Sequence, residues 1–121
     1  MRFLFGFLVD NELVGLINLT PTSNFCAMVY NVAIDEDIIK EVDLLEVMLR
    51  GINKFIGNTG LNNNQHTQND LTLITYADNS EKQSFLKSGY IDTKVSRTRT
   101  NPERPEEFLL VKKISVHSTI S

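Results

Sequence analysis

The 121-residue chain holds one cysteine, no tryptophan, two histidines, three prolines and six glycines, and each scarcity excludes something. A lone Cys26 forms no disulfide within the chain, so the expectation is a fold held by its core in a reducing compartment, the cytoplasm. A thiol nucleophile needs a histidine beside it, but His66 lies in a polar run and His117 near the end. Cys26 therefore reads as a small buried apolar residue. With so few Cys and His residues no ligand set has metal-binding spacing, and no metal is expected. No apolar run is long enough to cross a bilayer, so no membrane partner is expected. The opening MRFLFGFLVDNELVGLINL is interrupted by Asp10 and Glu12 and reads as a strand hairpin rather than a secretory leader.

What is present suits one soluble globular domain spanning residues 1–121: 41% apolar residues, 22% charged and a net charge of −3. Acids crowd between Asp35 and Glu46. Lys94, Arg97, Arg99, Arg104, Lys112 and Lys113 gather near the end without interleaved aromatic residues, so they read as solvated strand faces rather than a nucleic-acid surface.

The pattern predicts strands at 3–9 and 13–19 around an Asp10-Asn11 turn, and a third at 27–34. Ile38, Val42, Leu45, Leu49, Ile52 and Ile56 alternate steps of four and three, which predicts an amphipathic helix beginning within Asp35, Glu36 and Asp37 and ended by the stretch Gly57-Asn58-Thr59-Gly60. The polar run 61–70 reads as an exposed loop. A strand at 71–77 follows, then a short helix with its start signal at Asp78-Asn79-Ser80, where Glu81 and Gln83 stand three residues after Asp78 and Ser80, stopped by Ser88-Gly89. Strands at 90–99 and 108–114 finish the chain. The order β-β-β-α-β-α-β-β predicts an α/β (α+β) fold, a mixed, mostly antiparallel twisted sheet of about six strands with two helices.

That order, together with two stretches of text, resembles the GNAT superfamily of acyl-CoA-dependent N-acyltransferases. FGFLVDNELVGLINL, with Val14-Gly15-Leu16, is similar to the family's second and third strands; LTLITYADNSEKQSFLKSGYI is similar to its fifth strand, short helix and Gly-aromatic ending, with Gly89-Tyr90 where Gly-Phe is usual. The resemblance implies that the strands at 27–34 and 71–77 splay apart. It further implies that the pantetheine arm of acetyl-CoA, the co-substrate, bonds to the backbone of Val32, Ala33 and Ile34 like an added strand, with the pyrophosphate near Ile39 and Lys40 at the next helix start. Asp78 or Asn79 stands at the family's cofactor-contacting asparagine. Phe85 stands where many members carry a proton-donating tyrosine, which leaves Tyr30 and Tyr76, on the two splaying strands, as the candidate acids.

The stretch DEDIIKEVDLL lacks the glycines that let the family's backbone approach phosphate, and its carboxylates repel a pyrophosphate by roughly 1 kcal/mol per close pair. The family's first strand and first two helices would precede Met1, so an unfinished edge or face and a homodimer are expected. Two functions follow from the resemblance. One is N-acetyl transfer from acetyl-CoA to an amine on a small molecule or a protein. The other is an inactive GNAT-like binding or regulatory module.

Overall fold

The computed structural model describes residues 2–23, 25–35, 43–59, 70–98 and 106–115. Their elements run β1 (Phe3–Val9), β2 (Glu12–Pro21), β3 (Cys26–Ile34), α1 (Leu44–Thr59), β4 (Leu71–Ala77), α2 (Asn79–Lys87), β5 (Ile91–Arg97) and β6 (Glu107–Ile114). The strands form one six-stranded sheet in the order β1-β2-β3-β4-β6-β5. Only β3 and β4 run parallel; all other neighbours are antiparallel. The expected mixed sheet with two helices is therefore present, in the expected order.

Local chemistry accounts for the turns. Asp10 and Asn11 sit at φ 51° and 68°, and Val9 pairs with Glu12, which is the two-residue hairpin with both central residues left-handed that matches strand twist. Asp78 accepts hydrogen bonds from the amides of Ser80 and Glu81 and so caps α2. Gly89, at φ 110°, ends that helix in a conformation costly for any residue with a Cβ, and a Cβ there would lie 2.7 Å from Lys112 Nζ.

The long helix differs from expectation at its start. Asp43 is not helical; its carboxylate accepts from the Glu46 amide at 3.1 Å, so α1 starts at Leu44. Glu46, three residues on, stands at capping-box spacing from Asp43. Residues 36–42, including Ile38 and Val42 of the apolar stripe, lie outside the described residues. At the other end the helix runs through Gly57 and stops at Thr59, within the expected stretch Gly57-Asn58-Thr59-Gly60. The predicted loop likewise falls outside the described residues, apart from Asp70.

Both helices cover the same face of the sheet. Leu45, Met48, Leu49, Ile52 and Ile56 of α1 are buried against Ile17, Leu19, Ala27, Val29, Leu73, Leu110 and Ile114 from four strands. Each such side chain contributes about 1.5–3 kcal/mol by leaving water, so this stripe dominates the stability of the fold. Met48 lies where only a glycine allows it: a Cβ on Gly15 would fall 2.5 Å from Met48 Sδ. The opposite face carries no described helix and leaves Leu4, Leu8, Leu13, Tyr30 and Ile91 exposed. Cys26 is half-buried, not buried as expected, because β3 pairing turns it toward this face.

Candidate active site

The site is a split in the sheet. β3 pairs with β4 only through Cys26↔Thr72, Ala27↔Leu73 and Met28↔Ile74, after which β3 follows β2 and β4 follows β6. Between β2 and β3 the register jumps from Ile17↔Asn31 to Leu16↔Ala33, so Val32 is an extra residue in β3. Such a bulge leaves one residue out of the ladder and bends the strand. The β3 edge facing the split is marked by the Val29 carbonyl, which accepts from Thr75 Oγ1 at 2.8 Å. Among the described residues Thr75, only 2% exposed, thus ties the two strands one step beyond the paired couple Met28↔Ile74. Beyond it, alternation turns the Asn31 backbone groups toward the same opening.

On the helical face the opening is lined by polar groups. Asn31 Nδ2 donates to Glu81 Oε1 at 3.2 Å, joining β3 to the first turn of α2, while Asn31 Oδ1 is buried with no hydrogen-bond partner. Burial pushes the Glu81 carboxyl above its ordinary range, helped by the negative charges of Asp78 and Glu107 and opposed by the Asn31 hydrogen bond. Glu81 was legible in the sequence only as a capping residue. Its reach to Asn31, fifty positions away, needs the tertiary fold.

Of the residues singled out from the sequence, Ala33 and Ile34 border the bulge, and with Leu13, Val14, Gly15, Leu16 and Asp35 they line an open recess of about 240 Å³ between β2 and β3. Tyr30 and Tyr76 are the next same-face residues above the last paired couple Met28↔Ile74, so they flank the split on the open face. Tyr30 is 40% exposed; Tyr76 lies beneath the Arg97 guanidinium, 3.6 Å from its ring centroid. Asp78 is engaged as the α2 cap, and Asn79 is the exposed first residue of that helix. Ile39 and Lys40 lie outside the described residues. Phe85 is fully buried against Tyr90, with ring centroids 5.0 Å apart, so it serves the core.

The start of α1 is already occupied. Asp43 accepts from the Glu46 amide and from Ser84 Oγ at 2.8 Å, and pairs with Lys87 Nζ at 3.4 Å. Burial alone would raise this carboxyl, but these hydrogen bonds and the Lys87 charge outweigh it and hold Asp43 below the ordinary carboxylate range. An ionised carboxylate already holds the Glu46 amide at this end, and its charge opposes a pyrophosphate there. The split strand edge fits the amide-bearing arm of an acyl-CoA; the capped start of α1 does not fit its phosphates. Among the described residues no cluster of His, Cys, Asp and Glu is suited to a metal ion.

No protein-family model matches the chain, and neither does the sequence of any curated protein. Solved structures do match in three dimensions. An acetyltransferase of the GNAT family from Streptococcus pneumoniae superposes with a TM-score of 0.64 at 13% identity, over 89% of this chain and 64% of that one. Campylobacter jejuni N-acetyltransferase PseH gives 0.60 at 13% identity, over 94% and 69%. An aminoglycoside acetyltransferase in complex with coenzyme A and kanamycin gives 0.63 at 10% identity, over 92% and 66%. The chain thus spans about two thirds of the length of these neighbours. At such identities the shared property is the architecture, and the chain has the fold of the GNAT-family acetyltransferases.

Proposed function

We propose that this chain binds an acyl-CoA thioester in the split between β3 and β4 and transfers the acetyl group to an amine. The observation that carries this reading is the divergence of the two strands after Met28↔Ile74, with the bulge at Val32 on the edge so freed. An acetyl thioester supplies an electrophilic carbonyl; the protein's part is to hold and orient it and to move protons. The backbone edge from Val29 to Ile34 takes up an extended, amide-bearing arm as another strand would. The bulge leaves the backbone of Val32 outside the ladder, its N–H available to a developing negative oxygen.

Glu81 is the base this reading adds: a half-buried carboxylate at the opening, with its proton affinity raised toward the range useful for accepting an amine proton. Asn31 holds its Oε1 in place. Tyr30 and Tyr76 are proposed as the donors to the departing sulfur, through their hydroxyls on the other face of the split. Val32, Ala33, Ile34 and Asn79 are proposed contacts of the arm, whereas Asp78, committed to the cap of α2, is a weaker one. Ile39 and Lys40 are proposed to lie near its nucleotide end. Neighbouring structures contain acetyl coenzyme A, or coenzyme A with kanamycin, which supports an amine acceptor.

The test is calorimetric titration with acetyl-CoA, CoA and acetyl-pantetheine, which lacks the nucleotide. Acetyl-CoA and acetyl-pantetheine are expected to bind within a few-fold of one another, because Asp43 keeps phosphate from the helix amides. Failure of all three to bind refutes the reading. The second reading, a GNAT-like binding module without catalysis, is favoured by that same Asp43 cap and would be supported by such a failure.

A further inference from the structure

On the reading that the split holds an acyl thioester, we propose that Asn31 is the second acceptor for the attacking amine: its Oδ1 receives one N–H of the nucleophile while Glu81 takes the proton of the other. Among the described residues Asn18 Oδ1, Asn31 Oδ1, Asn53 Oδ1 and the Tyr90 hydroxyl are buried without a hydrogen-bond partner. Asn18 belongs to β2, Asn53 to α1, and Tyr90 packs against Phe85 in the core. Asn31 is the one of these that stands on a strand bordering the split. Native chains rarely keep a buried polar group unsatisfied, and a role in catalysis is one reason they do.

Had the pairing of β3 with β4 continued in step from Met28↔Ile74, Asn31 would face Ala77, the last residue of β4. The strands part before that point, yet Asn31 Nδ2 reaches Glu81 Oε1, in the first turn of α2, at 3.2 Å. The bond therefore crosses the opening on the helical face. Its far end is fixed, because the Glu81 amide donates to Asp78 Oδ1 at 3.1 Å. The bond also sets the direction of the carboxamide. An ionised carboxylate only accepts, so the nitrogen turns to Glu81 and the oxygen turns away from it.

Position along β3 selects the partner of that oxygen. The bound arm runs from the bulge at Val32 past Ile34 toward the start of α1, with the Val32 N–H on the thioester oxygen. Asn31 lies one residue, about 3.3 Å, in the other direction, on the side from which an amine can reach the carbonyl carbon. A carboxamide oxygen takes N–H or O–H donors, and a primary amine brings two N–H bonds. Glu81 Oε1 is engaged by Asn31, which leaves Oε2 for one hydrogen while Asn31 Oδ1 receives the other. Holding both aims the nitrogen lone pair at the carbonyl carbon. The C–N bond forms and the C–S bond breaks, its electron pair leaving on sulfur, which takes a proton from a tyrosine hydroxyl on the open face. The amine gives one proton to Glu81, and that proton returns to the tyrosine through solvent. The other hydrogen stays on nitrogen as the N–H of the product amide. A secondary amine has a single N–H, so it leaves either the base or the buried oxygen unpaired.

The test uses acetyl-CoA with n-propylamine and its isomer N-methylethylamine, with the amide formed measured by chromatography and acetyl-CoA binding measured by calorimetry. The native chain is expected to favour n-propylamine at least tenfold in kcat/KM. Asn31→Leu is expected to slow both amines, by at least tenfold more for n-propylamine, while acetyl-CoA affinity stays within twofold. The exchanged pair Asn31→Asp/Glu81→Gln keeps the bond across the split with the roles reversed, and is expected to regain the preference and to exceed either single substitution in rate. It carries the test should Asn31→Leu not fold. Equal use of the two amines by the native chain, an equal loss for both in Asn31→Leu, or no regain in the exchanged pair overturns the role of Asn31 and leaves the acyl-thioester reading standing. Acetyl-CoA that binds but is passed to neither amine also overturns it, and failure of acetyl-CoA to bind overturns both.

Discussion

Thr75→Val tests the point at which the sheet opens. The substitution keeps the shape of a side chain that is 2% exposed and removes the hydroxyl that donates to the Val29 carbonyl at 2.8 Å. A buried acceptor left without its partner costs about 1–3 kcal/mol, and the methyl that replaces the hydroxyl recovers up to about 1 kcal/mol by its own burial. The net loss is about 1–2 kcal/mol. For a chain of this length unfolding entropy is about 0.25 kcal/mol per degree, so Tm should fall by about 4–8 °C. Urea unfolding followed by far-UV circular dichroism measures the loss as a lower midpoint with an unchanged slope. Thr75→Ser keeps the donor and loses one methyl, and should cost no more than about 1 kcal/mol. If Thr75→Val is as stable as the native chain, β3 and β4 are not tied at this position and the split begins elsewhere.

Glu81→Gln keeps an acceptor for Asn31 but no longer titrates. The raised proton affinity of Glu81 means that the folded state resists its ionisation, so native stability falls as pH rises through the folded value. The variant should therefore be the more stable at neutral pH, and equal to the native chain in acid below the ordinary carboxylate range; it should also lose about 10²–10⁴-fold in any acetyl transfer, which pH-resolved melting and a rate assay check. Tyr90→Phe removes a buried hydroxyl with no hydrogen-bond partner and keeps the ring contact with Phe85, so chemical denaturation should show a change between zero and about 1 kcal/mol in favour of the variant; a clear loss would show the hydroxyl to be bonded. Asp43→Ala removes the α1 cap and the contacts to Ser84 and Lys87, and should cost about 1 kcal/mol at neutral pH. Because the Asp43 carboxyl titrates below its ordinary value in the folded chain, that cost should shrink as pH falls through the folded value, and a cost independent of pH would contradict the assigned role.

The split gives the proposed chemistry a physical basis that the helix start does not. Strand edges recognise amide groups through backbone alone, so poor agreement in sequence leaves that function intact. Phosphate recognition needs free helix amides and close backbone approach, and α1 offers a capped start with Asp43 on it. An acyl donor held chiefly by its arm is what this combination favours.

Period-two and period-3.6 patterns, with turn residues at Asp10-Asn11, Asp78 and Gly89, were enough to read the elements and their order from the sequence, because these signals depend on neighbours a few positions apart. The strands at 3–9 and 71–77 agree with the structure to the residue, and of Asp78 and Ser80, the two caps the spacing allows, Asp78 is the one that caps α2. The start of α1 lies later than the acidic triplet suggests because Asp43 caps it. Ser84 and Lys87, some forty positions along the chain, engage Asp43, and that bonding is invisible to a local pattern. The same limit applies to the site. Thr75 reads as one more strand residue and Glu81 as one more helix cap until the fold sets them against Val29 and Asn31. The residue left over in β3 at Val32 exists only as a difference in pairing between two strands. Local sequence determined which segments became strands and helices, whereas contacts between distant segments decided where the sheet parts and which polar groups line the gap.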